Sequence, residues 1–512
     1  MLLIKILAAI SCLSICDSAS ILAVFPLPSI SHYIAFRPFV EELAKRGHEV
    51  TVITADPAYP KDQTPANFTE IDVHFETYSF RASVLSFATG KGVFSQIDPI
   101  FQIFIKAFDA TLKSKKVQNL LRDKTKKFDL LILEACMRST LSLQHVYKAP
   151  VIQISSFGSM EFNNHAFGSA THPILYPTAF HQRLFNLTLW EKIVEIFKYY
   201  YVVYLAYHYE NLEDKMLRKH FPDLPPLSEL SNNVDMLFLN VNPIWEMNRP
   251  VPPNVIHLGG LQLKPTKELP EDLKSYLDSS KNGVIYVSFG TNVDRKQIPE
   301  DVIAVLMHVF SQLPYNVLFK WEDDEVAGRP SNVKIGKWFP QADLLRHPNI
   351  KLFITQGGLQ STEEAIAAGV PLVGVPMLGD QWSNVEKYMY HKIGVKLDIT
   401  TINADNLKNA VTTVIGDESY RRNIMKLRSV MVDQPQSSLE RGVWWAEYLL
   451  RHGNAKHLRT PAKNMPWSVY LQLDVVLFVL IVFLVVLVLV VFLLYSVIKG
   501  VRKLLLRKEK VH

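Results

Sequence analysis

The chain has 512 residues, 48% of them hydrophobic, which is more than one compact core organises, so two domains are expected. Its formal net charge of +6 comes mostly from a basic C-terminal tail; the body is near neutral, which excludes a nucleic-acid partner. Two of its three cysteines, Cys12 and Cys16, fall in a segment expected to be removed, which leaves Cys136 alone and excludes an internal disulfide.

In chain order, Lys5 precedes an apolar run at 6–15 and the small residues Ser18, Ala19 and Ser20. This is the pattern of a secretory signal peptide over 1–20, with cleavage expected just before Ile21. Strands are predicted at 21–26 and 50–54, flanking an amphipathic helix at 33–46, with further strands at 129–133 and 151–155. Together they form a first α/β domain over 21–243. Asn67-Phe-Thr69 and Asn186-Leu-Thr188 are N-glycosylation sequons within it. Pro243, Pro250, Pro252, Pro253, Pro265 and Pro270 mark a linker at 244–282.

The α/β pattern then restarts, with strands at 284–289, 316–321, 351–355 and 371–375 and a helix at 299–312, giving a second domain over 283–455. Its last stretch, 420–451, reads as helical and polar enough to lie outside. No internal repeat interrupts the alternation, and two doubly wound domains facing each other leave a cleft lined by strand carboxyl ends. A juxtamembrane segment, 456–474, carries Pro461, Pro466, Trp467 and Tyr470. Residues 475–498 carry no charge, and as a helix they cover a hydrocarbon core of about 30 Å. Lys499, Arg502, Lys503, Arg507, Lys508 and Lys510 follow. Cationic flanks stay cytosolic, so 499–512 is expected there and the body in the lumen. The ending Lys508-Glu509-Lys510-Val511-His512 resembles a dilysine retrieval signal of the endoplasmic reticulum; a plain basic contact to anionic lipid is the other reading.

Residues 338–381 read WFPQADLLRHPNIKLFITQGGLQSTEEAIAAGVPLVGVPMLGDQ. A strand ending at Thr355 is followed by Gln356-Gly357-Gly358 and a helix beginning near Ser361. Glycines after a strand admit an anion to the backbone, and the helix N-terminus offers free N–H groups, which suits a diphosphate. The whole segment resembles the signature of the family 1 UDP-glycosyltransferases, the superfamily of animal glucuronosyltransferases and plant glucosyltransferases of secondary metabolism or detoxification. The resemblance implies a GT-B fold of two Rossmann-like domains and transfer of a sugar from a uridine diphosphate donor to a small lipophilic acceptor. UDP-sugar is then a co-substrate, no metal or other cofactor is implied, and self-association stays open.

Carried onto this sequence, the family's roles place Trp338 on the uracil face and Gln341 near the uridine, though a core aromatic is the plain reading of Trp338. Ser361 and the backbone at Gly358 would hold the diphosphate, and Gln360 joins the donor-binding set. Glu364 would accept from the ribose hydroxyls, or close a capping box with Ser361. Asp380 and Gln381 would bind the hydroxyls of the transferred sugar, an N-cap being the other role for Asp380. Ser288, Gly290 and Thr291 resemble the family's second phosphate-side loop. Gln356 stands where many members carry His, and the Thr-Gln-Gly-Gly-Leu-Gln-Ser wording looks like the arthropod branch.

Inverting transfer needs a base to take the acceptor's proton. The family's histidine after the first strand is matched by His32, and a helix N-terminus disfavours imidazolium, which suits a proton acceptor. Glu134, at the end of a later strand, would orient it as in triad logic; many relatives carry Asp there. No metal-ligand cluster accompanies the pair in the sequence. Near the linker, 238–243 offers no cation for a glucuronate carboxylate, so glucose is the expected sugar, with UDP-glucuronate the alternative. The aromatic stretch 197–209 could line an acceptor channel, face a bilayer or pack in the core. The rival class is a catalytically silent, membrane-anchored binder of lipophilic ligands.

Overall fold

The computed structural model describes residues 18–60, 63–80, 93–293, 295–463 and 465–508. The chain divides into two compact units at Arg459 and Thr460. The larger unit holds two wholly parallel sheets. The first comprises β1 (Ser20–Phe25), β2 (Glu49–Thr54), β3 (Phe68–Asp72), β4 (Leu130–Glu134), β5 (Val151–Ser155), β6 (Met236–Leu239) and β7 (Val255–His257), ordered β3-β2-β1-β4-β5-β6-β7. The second comprises β8 (Val284–Ser288), β9 (Asn316–Lys320), β10 (Val333–Gly336), β11 (Ile350–Thr355), β12 (Leu372–Gly374) and β13 (Gly394–Lys396), ordered β10-β9-β8-β11-β12-β13.

Continuous apolar runs make these strands. Every residue of β4, β5 and β8 is buried, as parallel strands covered on both faces require. Each sheet reverses its strand order once, between β1 and β4 and between β8 and β11. Ligands of such sheets bind at those reversals, beyond the strand carboxyl ends.

The helices that shape the cleft are α1 (Ile30–Lys45), α2 (Ile97–Lys113), α3 (Leu189–Leu217), α4 (Leu359–Ala368), α5 (Gln381–Tyr390) and α6 (Ser438–His452). α1 buries Phe36, Phe39, Val40 and Leu43 in one core with β1. It starts at Ile30 with Ser29 at its N-cap, earlier than the predicted 33, because the polar Ser-Ile-Ser-His stretch forms its first turn.

Three expectations are corrected. β1 reaches back to Ser20, whose N–H is held by Asp129 Oδ2 at 2.8 Å, so the segment set aside as 1–20 overlaps the fold; residues 1–17 lie outside the described residues. The proline-rich linker contains β7, since Val255–His257 is flanked rather than interrupted by proline and pairs with β6. The stretch 420–451 is two helices, and its second, α6, does not lie outside. Val443, Ala446 and Leu449 are fully buried in the core of the first sheet, where a buried valine or leucine side chain contributes about 1.5–3 kcal/mol. Gly442 lets α6 approach closely, since a Cβ there would sit 3.1 Å from Leu258. The chain therefore returns to its first half before leaving it, and the second domain does not extend unbroken to 455.

In the smaller unit, α7 (Leu473–Lys508) contains, within Leu473–Lys503, an 18-residue window of mean hydropathy 3.9 with none of it buried. It is long and apolar enough to cross a membrane. The final residues of the dilysine-like ending, 509–512, lie outside the described residues.

Candidate active site

The two reversals meet across one cavity of about 410 Å³, lined by residues of both halves. From the first half comes His32, the third residue of α1. Its Nδ1 lies 2.5 Å from Oε1 of Glu134, the last residue of the adjacent strand β4. A carboxylate only accepts, so Nδ1 carries the proton and Nε2 is left as the acceptor. Glu134 is fully buried, and its Oε2 has no partner among the described residues. The fold also brings up a residue outside the predicted site. Cys136 Sγ donates to Glu134 Oε1 at 3.4 Å, and the ligand atoms of His32, Glu134 and Cys136 all lie within 4.8 Å of one another. A potential ligand cluster therefore does accompany the pair. Burial, then the charge of Glu134, push the thiol well above its ordinary range, which favours the S–H form that donates to Glu134.

From the second half, Gly290 follows β8 and Gln356 follows β11. The Gln356 amide lies against the Gly290 backbone; a Cβ at Gly290, whose φ is +78°, would sit 2.0 Å from Gln356 Nε2. Ser288 Oγ accepts from Gly290 N–H at 3.3 Å, and Ser288, Thr291 and Gly358 line the same wall. α4 begins at Leu359 with Gly358 as its N-cap and no side-chain cap. The capping box proposed for Ser361 and Glu364 is thus absent, because Ser361 is already the third helical residue. Instead Gln341 Nε2 donates to Glu364 Oε2 at 2.7 Å and to Ser361 Oγ at 3.0 Å. Tyr286 donates to Gln341 Oε1 at 3.1 Å. Burial raises the Glu364 carboxyl to about 7, against the lowering effect of Gln341. Trp338 is no core aromatic: it is 61% exposed and lines the cavity.

Asp380 occupies the N-cap position of α5 but makes no capping bond. It accepts from Asn384 Nδ2 at 2.8 Å, and burial raises its carboxyl. Gln381 Oε1 accepts from Met377 and Leu378 N–H at 2.8 and 2.7 Å, which leaves its amide N–H groups as its means of contact. Gln360 reaches back to Ser156 O at 2.9 Å, tying the halves together.

Residues 20–511 match the family described as UDP-glucoronosyl and UDP-glucosyl transferase. The chain belongs to this family. It is 36% identical to an ecdysteroid UDP-glucosyltransferase of Lymantria dispar multicapsid nuclear polyhedrosis virus, over 92% of this chain and 95% of that one. It is 33% identical to UDP-glucosyltransferase 2 of Dactylopius coccus, over 93% of each. Among solved structures, the spinosyn forosaminyltransferase SpnP superposes with a TM-score of 0.58 at 17% identity, over 85% of this chain and 99% of that one. The UDP-glucose:anthocyanidin 3-O-glucosyltransferase in complex with UDP gives 0.57 at 14%, over 84% and 99%. The chain is a UDP-glycosyltransferase, and its fold is GT-B.

Several residues of the transferase site escaped sequence reasoning. Lys320, at the end of β9, donates to Gly290 O at 2.8 Å with its ammonium 5.0 Å from the Trp338 ring centre. Asn292 bridges the halves through Ser29 and Ser31 at 3.1 and 3.3 Å. Position at a strand's carboxyl end was the available signal for both. The aromatic stretch 197–209 does not line the cavity; Ile100, Ile103 and Phe104 of α2 do. On α3, Tyr199, Val202 and Tyr209 are buried while Phe197, Tyr200 and Tyr204 are exposed. The sequons also differ. Asn67 Nδ2 is held by Ala44 O and His48 O at 2.6 and 2.9 Å, so a glycan there would replace one of the two N–H groups and break at least one of these bonds, whereas Asn186 is exposed.

Proposed function

We propose that the enzyme transfers glucose, with inversion, from UDP-glucose to a hydroxyl of a small lipophilic acceptor. His32 is the general base and Glu134 orients it. The observation that carries this reading is the 2.5 Å contact between His32 Nδ1 and Glu134, in a cavity whose other walls are Trp338, Ser361 and Asp380. The carboxylate fixes the tautomer and stabilises the imidazolium formed as the acceptor attacks the anomeric carbon.

In this reading Trp338 stacks on uracil, and Glu364 takes the ribose hydroxyls while Gln341 and Ser361 hold it in place. The Gly358 amide and the start of α4 receive the diphosphate as charge develops on it. That role requires no metal, and turnover is expected to persist in a chelator. Asp380 and the Gln381 amide bind the hexose hydroxyls. Lys320 is the one lysine or arginine among the described residues lining the cavity, and it is engaged at the Trp338 end. Lys387 acts on Asp380 from behind the turn without lining the cavity, so a uronate carboxylate at the Asp380 end would meet no lysine or arginine of the described lining, which favours glucose. Ile100, Phe104, Phe157, Met160 and Phe180 give the other end an apolar wall. Such a wall suits a steroid or phenol, and the ecdysteroid in the viral relative's name is of that kind. α7 anchors the enzyme, with the body in the reticulum lumen and the basic tail cytosolic.

The deciding experiment follows UDP release from UDP-glucose and UDP-glucuronate by microsomes expressing the chain, with a panel of steroids and phenols. A product of inverted anomeric configuration from UDP-glucose, unaffected by chelator, is expected. Faster turnover of UDP-glucuronate, or a retained configuration, would overturn the assignment.

A further inference from the structure

The turn at 377–381, which presents Asp380 to the cavity, belongs to no strand, and side chains tie its backbone. Gln381 Oε1 takes the N–H groups of Met377 and Leu378. The other two ties come from the opposite half of the molecule. Gln96 Nε2 donates to Met377 O at 2.9 Å, and Gly379 N–H donates to Gln96 Oε1 at 3.1 Å. Gln96 has no exposed surface. It ends the 3-10 turn Val93–Gln96 and occupies the N-cap position of α2. α2 is in turn fixed within the first half, where Phe101 stacks on Tyr209 at 5.1 Å between ring centres and Tyr209 donates to Asp98 at 2.6 Å. One turn beyond Gln96, Ile100 and Phe104 form part of the apolar wall of the cavity.

We propose that Gln96 is a positioning residue for the donor sugar. Through its paired bonds to Met377 and Gly379, the helix that forms the acceptor wall sets the turn that carries Asp380 and Gln381. This rests on the reading of Asp380 and Gln381 as the hexose-binding pair. On the same reading the uridine and diphosphate groups meet second-half residues, namely Trp338, Gln341, Glu364 and the start of α4, whereas the side-chain bonds of Gln96 go to Met377 and Gly379. The second half alone therefore binds UDP, whereas the hexose site is complete only when the first half is docked. Losing Gln96 takes the partner from a buried carbonyl at Met377 and from a half-buried N–H at Gly379, and the turn must shift to satisfy them. A displacement of about 1 Å is enough to cost much of the rate at a positioned reaction centre.

The test compares full-length Gln96→Ala and Gln96→Glu in membranes with the unaltered enzyme. Glutamate keeps the shape and the bond from Gly379 N–H, but it sets a carboxylate against Met377 O. For both variants the KM for UDP-glucose should rise roughly tenfold and kcat should fall, while the inhibition constant for UDP stays within about twofold. A parallel rise of KM and the UDP inhibition constant would overturn the proposal, because it would signal general loosening of the second half. Unchanged KM and kcat in both variants would also overturn it. Asp380→Asn, assayed alongside, separates the two levels. Normal kinetics in Asp380→Asn would remove the hexose-site reading itself, whereas impaired Asp380→Asn with normal Gln96 variants would remove only the positioning role.

Discussion

Where the first sheet reverses, the chain passes from β1 into α1 and sets a side chain, His32, in the first helical turn. Where the second sheet reverses, it passes from β11 into α4 through Gly357 and Gly358, and no side chain caps the helix. The two reversals share a strand-turn-helix plan and differ in what they present. The base we propose has to be a side chain, and it needs a second side chain to hold its tautomer; the side chain that meets it comes from β4, 102 residues away. An anion cradle needs side chains removed, so that backbone N–H groups and the helix terminus reach the ligand. Gln356 fills the remaining space behind the cradle, at the cost of forbidding a Cβ at Gly290.

The comparison breaks first at His32. In His32→Ala, kcat should fall on the order of 10³-fold, the range of general-base catalysis, with UDP affinity unchanged. UDP-release kinetics and UDP competition measure the two quantities. A loss of UDP affinity as large as the loss of rate would mean that the halves do not divide the work. Gly290→Ala tests the opposite face. Its left-handed backbone and the overlap with Gln356 should together cost roughly 1–3 kcal/mol. The KM for UDP-glucose should rise by roughly tenfold, with a much smaller change in kcat. Adding Gln356→Ala should recover part of the loss; no recovery would show that backbone strain alone, not the overlap, is responsible.

This division also explains what was legible in the sequence. The donor wall was readable because most of it is contiguous: Trp338 through Gln381 lie on one stretch whose spacing carries the pattern. His32 and Glu134 were named from the family resemblance, one just before a predicted helix and the other just after a predicted strand, and the fold brings the two side chains together. What escaped depends on contacts between distant segments. Gln96 has no motif around it, and its role exists only because α2 packs beside the 377–381 turn. The packing of α6 was misread because its polar residues outnumber the few, Val443, Ala446 and Leu449, that dock on α1. The capping-box reading of Ser361 failed on a shift of helix start that local composition does not determine, since Gly358 serves as N-cap just as well.

The last test reads stability rather than kinetics, at the seam between the halves. Glu363 Oε2, on α4, accepts from Gly260 N–H at 3.2 Å and Gln262 Nε2 at 2.7 Å, while its Oε1 is buried without a partner. Burial raises this carboxyl to about 8 from an ordinary 4.5. Between those values the folded enzyme holds a proton that the unfolded chain releases, so stability falls as pH rises through the window and the penalty is complete above about 8. Glu363→Gln mimics the protonated acid in shape and keeps an oxygen for both donors. Unfolding midpoints of the full chain in detergent should therefore converge for the two proteins near pH 5. The variant should gain on the unaltered enzyme toward pH 8, by at most about 1.4 kcal/mol per pH unit, the value for one proton. Parallel curves would mean that Glu363 is ionised in the folded state. The seam would then be held by a charge rather than by a neutral acid.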